Sequence, residues 1–179
     1  MWKLLGGACM LGGTAGLLYS WVLVQRETQK WLETFLFFLK KTRYIMQTEK
    51  IQIIHYIPRY ISQYTSSQSK EEVALAQVLE EIINRLSTNT YPNGQMVWEE
   101  VFKEEEQNLH LDREVFRIMV QAGNGLFGRS REENISFLEK SITELQQQQA
   151  RLREKNLQER KVWIPVGMLG MLMLVILFI

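Results

Sequence analysis

One cysteine and two histidines occur in 179 residues, and those shortages exclude whole classes of site before any pattern is read. The cysteine, Cys9, lies in an uncharged stretch, so the chain can form neither an intramolecular disulfide framework nor a Cys-based zinc site. His55 and His110 stand far from each other and from Cys9 in sequence, which leaves no ligand-like pairing and no expected metal. Charge excess is missing too. The formal net charge is +1, and residues 25–161 carry 20 of the 21 Lys and Arg together with all 20 Asp and Glu, a formally neutral middle. A nucleic-acid-binding domain gathers a basic excess on one face, so no nucleic-acid partner is expected.

The two ends lack charge almost entirely. Residues 4–24, LLGGACMLGGTAGLLYSWVLV, run for 21 residues without one, and residues 162–179, VWIPVGMLGMLMLVILFI, for 18. About 20 apolar residues cross a ~30 Å hydrocarbon layer as a helix, so both runs are expected to span a membrane. The first is too long for the apolar region of a signal peptide and no small-x-small cleavage site follows it. Arg26, Lys30, Lys40 and Lys41 follow the first run, and Arg151, Arg153, Lys155, Arg160 and Lys161 precede the second, whereas Lys3 alone lies on the far side. The positive-inside rule then puts the middle in the cytoplasm and both termini across the membrane.

The expected layout is all-α: a transmembrane helix over residues 1–24, a cytoplasmic helical bundle over 25–129, a long amphipathic helix of the same domain over 130–161, and a second transmembrane helix over 162–179. Gly12 and Gly16 form a GxxxG pair, and Gly167 and Gly170 offer similar small surfaces, so these four are assigned to membrane-helix packing, between the two spans or between copies of the chain.

In the middle segment, Trp31, Leu32, Phe35, Phe38, Leu39 and Ile45 recur at helical steps and need a partner on one side. Residues 51–64, around Pro58, read as a helix that proline could kink or break. Ser69 is placed to cap a helix burying Val73, Leu75, Ala76, Leu79, Ile82, Ile83 and Leu86, which ends in a turn at Pro92-Asn93-Gly94. A short helix over 96–106 and another capped by Asp112 follow. Ser130 and Glu133 form an S-x-x-E capping box opening a long helix, with Ile135, Leu138, Ile142, Leu145 and Leu152 on heptad a and d positions and Gln149, Asn156 and Glu159 making the seam polar toward its end. Five or six cytoplasmic helices and no strand are expected.

Gly123, Gly125 and Gly128 reproduce the GxGxxG spacing of a dinucleotide loop. That fold needs a strand before the glycines and a second strand about 20 residues on, ending in an acidic residue that holds the ribose. Here one long helix follows, and Glu144 lies inside it. No Gly-Lys-Ser/Thr follows either, so a P-loop is excluded. The glycines read instead as a helix end with positive-φ residues and a tight turn. No nucleophile with a base is nominated, and Glu104-Glu105-Glu106 reads as a solvated helical face. No cofactor and no catalytic activity are expected.

The start MWKLLGG, the end VGMLGMLMLVILFI, the Val97-Trp98-Glu99-Glu100 segment and the run from Asp112-Arg113-Glu114 to Gly128 together resemble the stage III sporulation protein AB family. The chain departs from that pattern at Arg26-Glu27-Thr28 and Ser130-Arg131-Glu132. The resemblance implies a subunit of the membrane complex between mother cell and forespore, located in the mother-cell-derived outer forespore membrane. It also implies a domain similar to the inner-membrane platform protein of type II secretion and type IV pilus systems, with a cytoplasmic secretion-type ATPase and other membrane subunits as partners. The alternative is a two-span tether or signalling protein that dimerises as a coiled coil through its long C-terminal helix.

Overall fold

The computed structural model describes residues 26–49, 51–88, 93–109, 111–128 and 130–178. Among these the chain is all helical. Residues 26–48 form helix α1, uninterrupted by Gly or Pro, whose apolar residues at three- and four-residue steps give the buried set Trp31, Leu32, Phe35, Leu36, Phe38, Leu39, Ile45 and Met46. Helix α2, Ile53–Tyr64, contains Pro58. The missing amide of Pro58 leaves the carbonyl of Ile54 without its helical donor, and Ile54 is exposed, so water can satisfy the group and the helix continues.

Helix α3, Lys70–Ser87, buries Leu75, Ala76, Val78, Leu79 and Ile82, while Val73, Ile83 and Leu86 are less completely covered. Ser69 precedes it in extended conformation but does not cap it. Its hydroxyl donates instead to Glu71 Oε2 at 2.9 Å, and Ser67 Oγ donates to Glu72, charge-assisted bonds that turn both hydroxyls toward the first-turn carboxylates. Helix α4, Gly94–Leu109, starts two residues earlier than the sequence pattern suggests, with Asn93 Oδ1 accepting from Met96 N at 2.9 Å.

Helix α5, Arg113–Gln121, is capped by Asp112 Oδ1 on Glu114 N at 2.9 Å. A single turn, α6, covers Gly123–Leu126. Helix α7 then runs from Arg131 to Phe178 without a break, with Pro165 inside it. At about 1.5 Å per residue it is roughly 70 Å long.

Residues Thr28–Gln148 form one compact unit, and α7 from Gln149 onward belongs to a second. Within the first, α2 packs on α3, α3 on α4, and α4 on both α5 and α6. Helix α1 joins them through aromatic rings. Phe35 lies 6.2 Å from Trp98 and 6.1 Å from Phe102, and Phe38 meets Tyr60 edge-on at 5.0 Å. Pairs of this kind add about 0.5–1.5 kcal/mol each beyond the area they bury. The buried stripe of α7, Asn134, Leu138, Ser141, Ile142 and Leu145, stops at Leu145. From there to Glu159 every described side chain is half-buried or exposed, and Leu157 is 59% exposed.

The described residues contain no helix that is long and apolar enough to cross a membrane. The first uncharged run, residues 4–24, lies outside them.

Candidate functional site

The GxGxxG segment is filled by the protein's own core. Gly123 sits against the indole of Trp98, so near that a Cβ would lie 2.8 Å from its Cγ, and a Cβ on Gly125 would lie 2.9 Å from Leu138 N. Trp98 is wholly buried and its Nε1 donates to Met119 O at 3.1 Å, tying α4 to α5. None of Gly123, Gly125 and Gly128 adopts a positive φ, which corrects the expectation of a left-handed helix end. Their role is close approach: α5 ends at Gln121, α6 turns once, and absence of a Cβ lets the turn press onto Trp98 and the backbone of α7. The element before the glycines is helix α5 rather than a strand, and the space a phosphate would need holds an indole ring.

The glycine turn delivers the chain to a junction between α1 and α7. Ser130 Oγ accepts from Glu133 N at 3.2 Å, the serine half of a capping box. One residue on, Arg131 reaches across to the end of α1, its Nε donating to Met46 O and its Nη2 to Gln47 O, both at 2.7 Å. These carbonyls lie in the last turn of α1, where helical donors run out and the dipole is negative, so a guanidinium is well placed there. Two turns further along α7, Glu139 meets Arg43, one turn back along α1, at 3.5 Å. The two helices are therefore antiparallel, and the chain enters and leaves the domain at the same end.

Between α3 and α4, Arg85 grips Glu104 through both terminal nitrogens, at 3.0 and 2.7 Å, and Glu81 of its own helix through Nε at 2.7 Å. These hydrogen bonds hold the Glu104 carboxyl below its ordinary range and push Arg85 still higher. Burial raises the hydroxyls of Tyr56 and Tyr60 well above the usual phenol range, and the Tyr60 hydroxyl has no hydrogen-bond partner among the described residues. Both rings belong to the α1–α2 core and present no titrating group to a ligand.

Of the residues assigned to membrane-helix packing, Gly12 and Gly16 lie outside the described residues. Gly167 and Gly170 lie within α7, and nothing described in the chain comes within 4 Å of where their Cβ atoms would be. Sequence reasoning missed Arg131 and the Arg85–Glu104 bridge. An Arg directly after a capping serine carries no sign of a partner 85 residues away, whereas Arg85 and Glu104 on successive amphipathic helices with a short connection could have been paired.

No curated protein matches the chain significantly. A solved structure of stage III sporulation protein AB is similar in fold, with a TM-score of 0.60 at 13% identity, covering 74% of this chain and 98% of that one. The model of the family described as stage III sporulation protein AB matches residues 3–179. Coming after an independently all-helical fold with the Trp98-bearing helix and glycine turn in the expected order, that match over nearly the whole chain shows that this protein belongs to the stage III sporulation protein AB family.

Proposed function

We propose that this chain is a noncatalytic membrane platform subunit of the sporulation complex between mother cell and forespore. In this reading residues 4–24 and 162–179 anchor it in the outer forespore membrane, and its helical domain meets a cytoplasmic secretion-type ATPase. One observation carries the reading: Arg131 and the Arg43–Glu139 pair hold α1 antiparallel to α7, so the two helices leading to the uncharged runs leave the domain at one end. A domain whose chain enters and leaves at one end suits anchorage by both termini in one membrane. The basic residues beside both runs favour the cytoplasmic side for it.

The ATPase contact rests on family likeness alone, and co-purification tests it. Full-length protein in detergent is expected to retain the ATPase of the same complex and to hydrolyse no ATP itself. Failure of the two to associate in detergent and in cells would remove the platform role.

A further inference from the structure

The charges of the helical domain are sorted by helix. Residues 26–64, covering α1 and α2, hold seven Lys and Arg against three Asp and Glu, whereas residues 70–109, covering α3 and α4, hold three against nine. The first pair is thus +4 and the second −6 within a domain that is nearly neutral as a whole. Each surface also carries apolar groups that stay uncovered. On α1, Phe37 and Tyr44 are 48% and 62% exposed and lie seven residues apart, on one side together with Lys40 and Lys41. Phe37 meets Tyr64 edge-on at 6.3 Å, and Lys41 Nζ lies 5.8 and 5.1 Å from these two rings while donating to Gln63 at 2.8 Å. This patch is held in place before anything binds, which lowers the entropy lost on binding. On α4, Met96 is 49% exposed one turn before the exposed Glu100, and Glu81 of α3 and Glu104 further along α4 are fixed by Arg85.

We propose that copies of this chain associate head to tail, the basic aromatic face of α1 and α2 in one copy seating on the acidic face of α3 and α4 in the next. The occupant is a second copy because both halves of the match, in sign and in exposed apolar side chains, are present on the one domain. Tyr and Phe set among charges are the composition of an interface core with a polar rim. Two different surfaces meeting make a heterologous contact, which repeats until it closes into a ring or continues as a filament. The inference concerns the helical domain and goes beyond the ATPase reading; either can fail without the other.

The test uses the full chain in neutral detergent, with mass measured by light scattering across concentration and salt. Oligomers larger than dimers are expected at low salt, shrinking as salt shortens the reach of charge to below ~10 Å. Lys40→Glu with Tyr44→Asp, and separately Glu80→Lys on the exposed side of α3 with Glu100→Lys on α4, should each raise the apparent dissociation constant roughly tenfold or more, with helix content unchanged by circular dichroism. Mixing the two variants should restore assembly, since each then offers the charge the other lost, and a misfolded variant could not do this. A photo-crosslinker at position 44 should capture a peptide from residues 70–109. A monomer at every concentration, a dimer indifferent to both variants, or a monomer that binds phosphatidylglycerol vesicles only while Lys40 is intact would each overturn the proposal, the last by assigning the face to lipid.

Discussion

Replacing Gly123 by Ala adds one methyl group where the chain presses on a buried indole. Its Cβ would lie 2.8 Å from Trp98 Cγ, well inside van der Waals contact, and the indole cannot swing aside because it is wholly buried and hydrogen-bonded to Met119 O. Overpacking of this kind costs about 1–3 kcal/mol. If the ring moves far enough to release Nε1, an unsatisfied buried donor adds about 1–3 kcal/mol. Alanine's better helix propensity returns at most ~1 kcal/mol, so the net loss centres on about 2–3 kcal/mol within outer bounds of about 0 and 6. For a domain spanning Thr28–Gln148 that lowers the melting temperature by roughly 5–15 °C, read by near-ultraviolet circular dichroism of the full chain in detergent. Trp98→Leu destabilises on its own, but it removes the ring that the added methyl would strike, so the double variant should lose less than the two singles combined, by about 1 kcal/mol or more. A Gly123→Ala protein that melts at or above the parent, with Trp98 intact, would refute the close-approach account.

Arg131→Met keeps an apolar stem but removes two charge-assisted bonds, so it should cost about 1.5–3 kcal/mol and accelerate hydrogen exchange in the last turn of α1; unchanged protection at residues 45–48 would show that the guanidinium does not hold that end. Because Arg85 depresses Glu104, the stabilisation lent by the bridge is complete above the ordinary glutamate value of 4.5 and fades as pH falls through the lower folded value. The stability gap between parent and Glu104→Gln should therefore be present at pH 7 and vanish in acid, and a gap independent of pH would contradict the pairing. Burial raises Tyr56 and Tyr60, so their contribution is complete below the ordinary phenol value of 10.0 and declines above it; absorbance titration should show both ionising only together with alkaline unfolding.

Helix type and much of the helix spacing were legible because they depend on neighbours in sequence. Asp112 and Ser130 marked helix starts that the structure supports with hydrogen bonds, and the three-and-four spacing from Trp31 to Ile45 marked the buried side of α1. Ser69 misled because two glutamates in the first turn compete for nearby hydroxyls, a choice set by side-chain geometry. The glycines were legible as structural, yet their purpose was not. Positive φ is the commonest reason for a glycine after a helix, whereas here the reason is Trp98, far earlier in the chain and brought alongside only by folding. The Arg131 clamp was illegible for the same reason, since nothing local announces which carbonyls will lie within reach.

Which side of the membrane carries the helical domain decides the platform account most directly. With Cys9→Ser removing the native thiol, Ser66→Cys on the exposed connection between α2 and α3 and, separately, a cysteine added after Ile179 would be probed with a membrane-impermeant maleimide in intact non-sporulating cells expressing the chain in their plasma membrane. The account predicts that Ser66→Cys is protected until the cells are permeabilised and that the C-terminal thiol is labelled at once. Immediate labelling of Ser66→Cys would put the domain out of reach of any cytoplasmic ATPase and contradict the platform role.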